Sequence, residues 1–425
     1  MWTAWFISEL EPNARIALVE ADRCGMGPSG RNGGFANSMW PSLGSLRDRF
    51  GAAAALEIAR ASEAEVDGIG AWCQEQGVDA WYRRGGYLQV STAAAHDGTV
   101  RSGSEACAQL DAREACSVQS SPQVRERCAS PAFRGGAFYP AAATVQPARL
   151  AIGLRGCLIE RGVLVFERSR ARRLRSGGGG VEIETEGGRV HARGAILAAG
   201  GRLAAHPPLR RRLTVTSSHM VITEPVPDVL EAVGWTGGEC ITDSRATVQY
   251  FRTTPDGRIA FGWGGGRVVP GARLNGRAEV DARVAAEVER RLVRVFPALH
   301  GLRIEHAWGG PIDVSPTHLP VVGSLAGDRV HYAFGYTGNG VAPSRLAGRV
   351  LASMALGRRD EHTGLALIEP PPVRVPPEPF RFAGGTIIRA ALLRCERLEE
   401  EGRRPDPLTR FVAGVPERIG IHIGR

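Results

Sequence analysis

Lysine is absent from this chain of 425 residues, and all 53 of its basic side chains are arginines. The absence excludes lysine Schiff-base chemistry. The net charge of +9 comes from arginines scattered along the sequence, so we interpret it as a compositional bias and expect no nucleic-acid partner. The densest basic stretches, 168–175 and 210–212, lie beside turns rich in glycine or proline, where solvated charge is the simpler expectation.

Metal-binding and membrane-spanning patterns are also missing. The eight cysteines form no C-x-x-C pair and the ten histidines form no H-E-x-x-H, so we expect no metal site. No window offers some 18 uninterrupted apolar residues, and the apolar N-terminus has no basic region before it. Because scattered thiols in a long chain are typical of a reducing compartment, the sequence predicts a cytoplasmic protein without a secretion signal or membrane span.

An alternating apolar run at 15–20 ends in the carboxylate of Glu20, and a glycine-rich loop at 29–34 follows nine residues later. This order is typical of a dinucleotide-binding βαβ unit, in which the acid binds the adenosine ribose. The G-x-G-x-x-G loop of such a unit belongs about 20 residues before the acid, which is the start of this chain. We therefore expect residues 1–10 to form the crossover helix of a unit whose first strand and phosphate loop are cut off.

Hydrophobic periodicity predicts the remaining elements. Helices are expected at 46–76, 146–161, 278–296, 341–357 and 387–402, and helical segments joined by turns at 92–135. Strands are expected at 84–90, 162–167 (as a buried strand), 181–186, 190–198, 218–223, 247–253, 258–263, 303–308 and 331–335.

Four features stand in one order along the chain. They are the acid Glu20, the loop at 29–34, the small-residue strand end at 198–201, and the segment 335–340 leading into a helix. This order resembles the D-amino-acid-oxidase-like family of FAD amine oxidoreductases, the group that holds glycine oxidase and sarcosine oxidase. Within it the branch of gamma-glutamylputrescine oxidoreductases is most similar, through the segments 307–313, 320–323 and 346–349. The resemblance covers residues 1 to about 357.

The resemblance implies an α/β fold, in which a three-layer FAD/NAD(P)-binding domain, incomplete at its N-terminus, is interleaved with an antiparallel α+β substrate domain. The FAD-binding domain would comprise residues 1–45, 140–205 and 305–358. The substrate domain would comprise residues 46–139 and 206–304, and residues 359–425 would form a tail that packs on the body.

The resemblance also implies noncovalent FAD, because no Cys or His stands where some members of the family tether it. The amides of 338–340 at a helix N-terminus would favour the negative charge of reduced flavin. The full set of expected FAD contacts is Glu20, Ala21, Ser29, Gly30, Arg31, Asn32, Gly33, Gly34, Ala171, Ala199, Gly200, Gly201, Gly335, Tyr336, Thr337, Gly338, Asn339 and Gly340.

For the substrate, an amine is favoured over an α-amino acid, since Ile312 stands where the α-amino-acid members have a carboxylate-binding arginine. Tyr250 and Arg252 share one face of a predicted strand and could meet a remote carboxylate or carbonyl, or could lie on an exposed face. Trp308 and His318 are candidates for the pocket wall, with a core tryptophan and a satisfied histidine as the alternatives. No general base is assigned, because hydride transfer needs mainly a neutral, well-aligned amine.

These features predict an FAD-dependent oxidoreductase that oxidises a C–N bond of a primary or secondary amine to an imine, which water hydrolyses. The expected partners are the amine and either O2 or an electron carrier. Several relatives activate oxygen with a lysine that this chain lacks, so the acceptor is left open. The alternatives are a non-catalytic remnant unable to hold FAD and a flavin subunit of a hetero-oligomeric amine dehydrogenase. A wrongly chosen start codon would explain the missing loop as well.

Overall fold

A computed structural model describes all residues except 272, 275, 277, 278, 326, 328, 369–373 and 423–425. The helices of the described residues are α1 (Trp2–Leu10), α2 (Pro28–Arg31), α3 (Leu43–Phe50), α4 (Ala52–Glu75), α5 (Asp97–Gln109), α6 (Ser121–Arg127), α7 (Pro147–Glu160), α8 (Pro227–Ala232), α9 (Ala282–Val295), α10 (Val341–Ala355), α11 (Phe380–Glu400), α12 (Pro407–Ala413) and α13 (Val415–Arg418).

The strands of the same residues are β1 (Ala17–Val19), β2 (Phe35–Asn37), β3 (Tyr87–Ser91), β4 (Ser117–Gln119), β5 (Gly135–Tyr139), β6 (Ala142–Thr144), β7 (Leu164–Phe166), β8 (Ala171–Gly177), β9 (Gly180–Thr185), β10 (Arg189–Ala192), β11 (Ala195–Leu197), β12 (Thr214–Thr223), β13 (Cys240–Asp243), β14 (Gln249–Thr253), β15 (Ile259–Trp263), β16 (Ile304–Val314), β17 (Val321–Ser324) and β18 (Val330–Phe334).

The largest sheet has eight strands in the order β16-β12-β15-β14-β13-β3-β5-β4. Its neighbours are antiparallel except for β13 and β3, which run parallel. Helix α9 packs against this sheet because Val284, Val288 and Leu292 recur at helical spacing and are buried. Beneath it lies a cluster of aromatic rings in which Phe251 stacks on Phe261, with centroids 5.0 Å apart. The predicted mixed α/β class with a large antiparallel part is confirmed.

Parallel strands form two separate small sheets. In one, β1 pairs with β7, and in the other, β11 pairs in parallel with β18, which is followed by β17. Within the described residues β1 and β11 each have a strand partner on one side only. Both strands line the same cavity, so their unpaired backbone edges border one space.

A strand is present in the segment 162–167, as predicted, but the prediction that it is buried is wrong. The side chains of Leu164 and Phe166 are 51% and 44% exposed. The strand is apolar, but in the described part of the chain it pairs with β1 alone and so stands at a sheet edge. Both side chains line the cavity, so hydrophobicity alone did not indicate burial here.

The segment 168–198 also differs from its prediction. A three-stranded antiparallel sheet in the order β10-β9-β8 occupies most of it. Strand β8 runs through the arginine-rich stretch, where no strand was predicted, and its side chains are mostly exposed. The strand expected at 190–198 is broken at Gly194, because β10 pairs with β9 whereas β11 crosses to β18. A Cβ at Gly194 would lie 3.0 Å from the carbonyl oxygen of Arg329, so a side chain there would crowd the crossing.

The first helix is confirmed at α1, where residues 1–10 were expected to be helical. Helices α1, α4 and α10 pack together around a buried ion pair between Glu65 and Arg345. A Cβ at Gly348 of α10 would lie 2.7 Å from the Cβ of Trp2, so the two helices touch through this glycine. No helix of the described residues has both the length and the apolar character to cross a membrane.

Candidate active site

A single cavity of about 2650 Å³ joins several of the predicted site segments. Small-molecule pockets typically have volumes of about 300 to 1,000 Å³, so this cavity has room for a large cofactor together with a substrate. Thirteen arginines but three carboxylates stand among the described residues that line it. This excess of positive charge favours a ligand with anionic groups, such as a diphosphate.

The acid Glu20 lies at one end of the cavity, directly after β1. Its backbone N–H donates to the carbonyl of Phe166 at 2.9 Å, and its carboxylate accepts the N–H of Asp22 at 3.0 Å. Next to it, Glu167 accepts the N–H of Cys24 at 2.9 Å and two hydrogen bonds from Arg155 at 2.8 and 3.0 Å. The Arg155 guanidinium lowers the pKa of Glu167, so this acid stays ionised and fixes the β1 end against β7.

The loop at 29–34 shapes itself through Asn32. The side-chain amide of Asn32 donates to the carbonyls of Pro28 and Ser29 at 3.1 and 3.0 Å, and its oxygen accepts the N–H of Gly34 at 2.8 Å. Asn32 lines the cavity, but these bonds occupy much of its polar capacity. It therefore sets the loop conformation, whatever contact it makes with a cofactor.

Two of the predicted pocket side chains hold this loop from behind. The indole N–H of Trp308 donates to the carbonyl of Arg31 at 2.9 Å. The Nε of Arg252 donates to the carbonyl of Gly33 at 2.6 Å, and the residue is 6% exposed. Neither residue belongs to the cavity lining in the described part of the chain. The exposed-face alternative for Arg252 is wrong, and we interpret both residues as supports of the loop.

Tyr250 does reach the cavity. Its hydroxyl and that of Ser218 are 2.7 Å apart, and its ring packs edge-on against Phe35 with centroids 6.0 Å apart. A Cβ at Gly33 would lie 3.0 Å from this ring, so a larger residue at that position would require the ring or the loop to shift. A polar hydroxyl pair therefore faces the cavity immediately beside the loop.

The segment 335–340 is held by Asp313, a residue that the sequence analysis did not single out. The carboxylate of Asp313 accepts the N–H of Gly335 at 2.6 Å, and its carbonyl accepts the N–H of Thr337 at 3.1 Å. Burial raises the pKa of Asp313 to about 6. Gly335 has φ +77°, and a Cβ there would lie 2.7 Å from the Cβ of Ser315, so both the turn and the packing require glycine.

The amides at the start of α10 are divided between the fold and the cavity. The N–H of Asn339 donates to the carbonyl of Tyr336 at 2.9 Å, so this amide has an acceptor within the turn. The amides of Gly338 and Gly340 have no backbone acceptor among the described residues. Both glycines line the cavity next to the positive end of a 15-residue helix, so they can bind negative charge.

Most of the predicted cofactor residues share this cavity. Gly30, Gly34, Gly201 and Gly335 are outside the lining found in the described residues, and the other fourteen belong to it. Gly30 has a packing reason instead, since a Cβ there would lie 2.0 Å from the carbonyl oxygen of Gly25. Of the substrate candidates, His318 lines the cavity with φ +57°, and its ring lies 5.3 Å from that of His422.

Part of the cavity wall comes from the C-terminal segment, for which the sequence predicted packing on the body. Gly385, Ile388 and Arg389 of α11 line the cavity, as do Ile421 and His422. The helical periodicity of α11 was readable in the sequence, but the surface it would cover was not. For Asp313, the available signal was a lone carboxylate inside the otherwise uncharged stretch 307–316.

Comparison with known proteins gives a family match. The model of the DAO family, described as FAD dependent oxidoreductase, matches residues 1–354. Gamma-glutamylputrescine oxidoreductase of Escherichia coli (strain K12) is 26% identical over 384 residues, which cover 88% of this chain and 83% of that protein. A probable oxidoreductase OrdL of Rhizobium meliloti (strain 1021) is 26% identical over 389 residues, which cover 89% of this chain and 84% of that protein.

Solved structures share the fold. Glycine oxidase from Bacillus cereus ATCC 14579 has a TM-score of 0.69 and 18% identity, with 88% of this chain and 96% of that chain covered. Iminodiacetate oxidase from Chelativorans sp. BNC1 has a TM-score of 0.66 and 18% identity, with 85% and 93% covered. At this identity the likeness shows the fold alone.

Proposed function

The chain belongs to the DAO family of FAD-dependent oxidoreductases, and on this basis we propose that it oxidises the C–N bond of a primary or secondary amine to an imine, which water then hydrolyses. The observation that carries the proposal is the cavity in which Glu20, the loop around Gly33 and the α10 start at Gly340 meet. The family supplies the chemistry, and the shared cavity supplies a place where cofactor and substrate would lie together.

The residues of the cavity fit FAD. The cavity volume and the excess of arginines suit a long, anionic ligand. Glycine at position 33 suits a flat one, because a Cβ there would lie close to the ring of Tyr250. When bound, FAD supplies the acceptor for a hydride from the amine carbon. We propose that it is held noncovalently, because burial raises the pKa of the Cys24 thiol to about 11 and a protonated thiol is a poor nucleophile.

The protein groups have distinct proposed roles. The amides of Gly338 and Gly340 stabilise negative charge beside the N-terminus of α10. The hydroxyls of Tyr250 and Ser218, 2.7 Å apart, orient the amine by hydrogen bonding on the side of the cavity next to Gly33. Asp313 keeps the α10 loop in position and does not itself need to touch the substrate.

The visible absorbance spectrum of the purified chain supplied with FAD tests the cofactor assignment. It is compared with a version extended upstream by a strand and a G-x-G-x-x-G loop. The reasons are that β1 and β11 each have an edge without a strand partner among the described residues and that a helix N-terminus is a favourable site for a diphosphate. Flavin bands that bleach on anaerobic addition of an amine support the proposal. Two folded proteins that both fail to take up flavin would refute it.

The two unpaired strand edges also favour a second candidate, a chain that folds but holds FAD too weakly for catalysis. It predicts flavin bands in the extended version alone. A third candidate, a flavin subunit that passes electrons to a partner, draws support from the absence of lysine. Amine-dependent reduction of a dye without matching peroxide favours it, whereas peroxide equal to the amine consumed contradicts it. All eight thiols are free in the structure, which supports the proposal of a cytoplasmic location.

A further inference from the structure

Helix α11 forms part of the cavity wall although it lies outside the region that matches the family. The match ends at residue 354, and α11 begins at Phe380. Gly384, Gly385, Ile388, Arg389 and Leu392 face the cavity. Their spacing of three to four residues places them on one side of the helix. A segment outside the matched residues 1–354 therefore contacts the space in which the substrate would lie.

The position of this helix is fixed by a buried contact. The carboxylate of Glu396 accepts the backbone N–H of Thr247 at 2.7 Å and also bonds its hydroxyl. Thr247 itself lines the cavity, and its hydroxyl accepts the indole N–H of Trp263 at 3.2 Å. The helix is thus docked on the strand region that also carries Tyr250, so its side chains have defined positions relative to the proposed reaction site.

Arg389 has hydrogen-bonding capacity left over. Its Nε and Nη2 donate to the carbonyl of Gly265 at 3.1 and 2.5 Å, respectively. Its Nε also donates to the carbonyl of Gly266. Nη1 has no acceptor among the described residues, and no carboxylate of those residues lies within ion-pair distance. A guanidinium has five N–H donors, so Arg389 presents unused donors and a charge without a direct ion-pair partner among the described residues, from a half-buried position at the cavity.

Arg267 adds a second charge at the same wall. Its Nε lies 2.6 Å from a carboxylate oxygen of Asp281, and Asp281 also accepts the N–H groups of Arg283 and Val284 at the start of α9. Arg267 and Arg389 both line the cavity. Burial and then the charge of Arg267 lower the pKa of Arg389, and Asp281 and Glu396 oppose that shift. Of the two guanidinium groups, Arg267 therefore has the Asp281 carboxylate as a direct partner, whereas Arg389 is bonded to backbone carbonyls.

We propose that Arg389, together with Arg267, forms a subsite that binds a carboxylate at the far end of an amine substrate. The inference rests on the proposed amine oxidation. Tyr250 is the strand partner of Gly262, and Arg389 is bonded to Gly266, four residues after Gly262. At roughly 3.3 Å per residue, the backbone distance between Gly262 and Gly266 is at most about 13 Å. An extended chain of several carbons between amine and carboxylate spans that distance. The substrate class is therefore an ω-amino acid or a longer amine with a terminal carboxylate.

Calorimetric titration of the FAD-supplied protein with hexanoate and with its neutral amide, hexanamide, tests the subsite without turnover. The wild type is expected to bind hexanoate more tightly. Arg389→Met should weaken hexanoate about ten- to hundredfold, the effect of losing a hydrogen-bonded charge, and leave hexanamide unchanged. Arg389→Lys should restore part of the difference. Arg394→Met is the matched control, because Arg394 is on the same helix but pairs with Asp406 outside the described cavity lining.

The outcomes distinguish a carboxylate-binding role of Arg389 from a purely structural role in docking α11. Equal binding of the two ligands to the wild type overturns the proposal. So does a loss in Arg389→Met that is the same for both ligands, or that Arg394→Met reproduces, because undocking of α11 would act on both. With 6-aminohexanoate and 6-aminohexanamide as substrates, the variant should raise KM for the acid alone at unchanged kcat. If hexanoate binding depends on Arg389 and no amine reduces the flavin, the subsite stands and the proposed oxidation fails.

Discussion

Replacing Glu396 by glutamine is expected to remove a pH dependence of stability that arises where α11 docks. Glu396 is 4% exposed, and burial raises its pKa from 4.5 to about 7, with Asp243 adding to the rise and with Thr247 and Arg245 opposing it. The folded protein therefore keeps a proton that the unfolded chain releases. The free energy of unfolding should fall as pH rises from about 4.5 to about 7 and then level off, by roughly 3 kcal/mol at 1.36 kcal/mol per pKa unit.

Glutamine keeps both contacts of this site, because its oxygen can accept the N–H of Thr247 and its amide can donate to the Thr247 hydroxyl. Urea unfolding at several pH values between about 5 and 8 measures the effect. Above about pH 7 the Glu396→Gln variant should be more stable than the wild type, by up to roughly 3 kcal/mol, and near pH 5 the two should converge. Glu289→Gln, at an exposed position of α9, is the control. Parallel curves for wild type and Glu396→Gln would refute the reasoning.

Two further perturbations follow from close contacts. Gly33→Ala should lower the FAD content, because the new Cβ would lie 3.0 Å from the ring of Tyr250. The ratio of flavin absorbance to protein concentration measures the FAD content. The control Gly98→Ala, where a Cβ meets nothing within 4 Å, should leave that ratio unchanged. Glu65→Gln should destabilise the protein by about 3 to 5 kcal/mol, since it leaves the buried Arg345 charge uncompensated. A loss under 1 kcal/mol in urea unfolding (the ~0–1 kcal/mol of an exposed pair) would contradict the second prediction.

Local periodicity predicted much of the fold. The helix expected at 146–161 is Pro147–Glu160, and the strands expected at 247–253 and 258–263 are Gln249–Thr253 and Ile259–Trp263. These elements bury a regular apolar pattern, and that pattern is written in consecutive residues. The family was predicted from four spaced segments and is confirmed by the match over residues 1–354.

Features set by backbone pairing or by distant contacts were not predictable in this way. Strand β8 is exposed along most of its length and is held by its ladder with β9, so its side chains carry no alternation to read. Asp313 acts through the backbone of Gly335, and Arg252 acts through the carbonyl of Gly33, 219 residues away. Nothing in the neighbourhood of either residue along the chain indicates its partner.

Part of the cavity wall is formed by residues near the C-terminus, which are synthesised late. Arg389 and Glu396 reach back 124 and 149 residues to Gly265 and Thr247, whereas the loops that would hold the cofactor are complete once α10 has been made. At roughly 5 to 20 residues per second, a ribosome needs about two to seven seconds to proceed from the end of α10 to Arg389. During that interval the cavity lacks the part of its wall that α11 forms. A bulky cofactor can enter the cavity by diffusion in that interval, before α11 packs over this side of it.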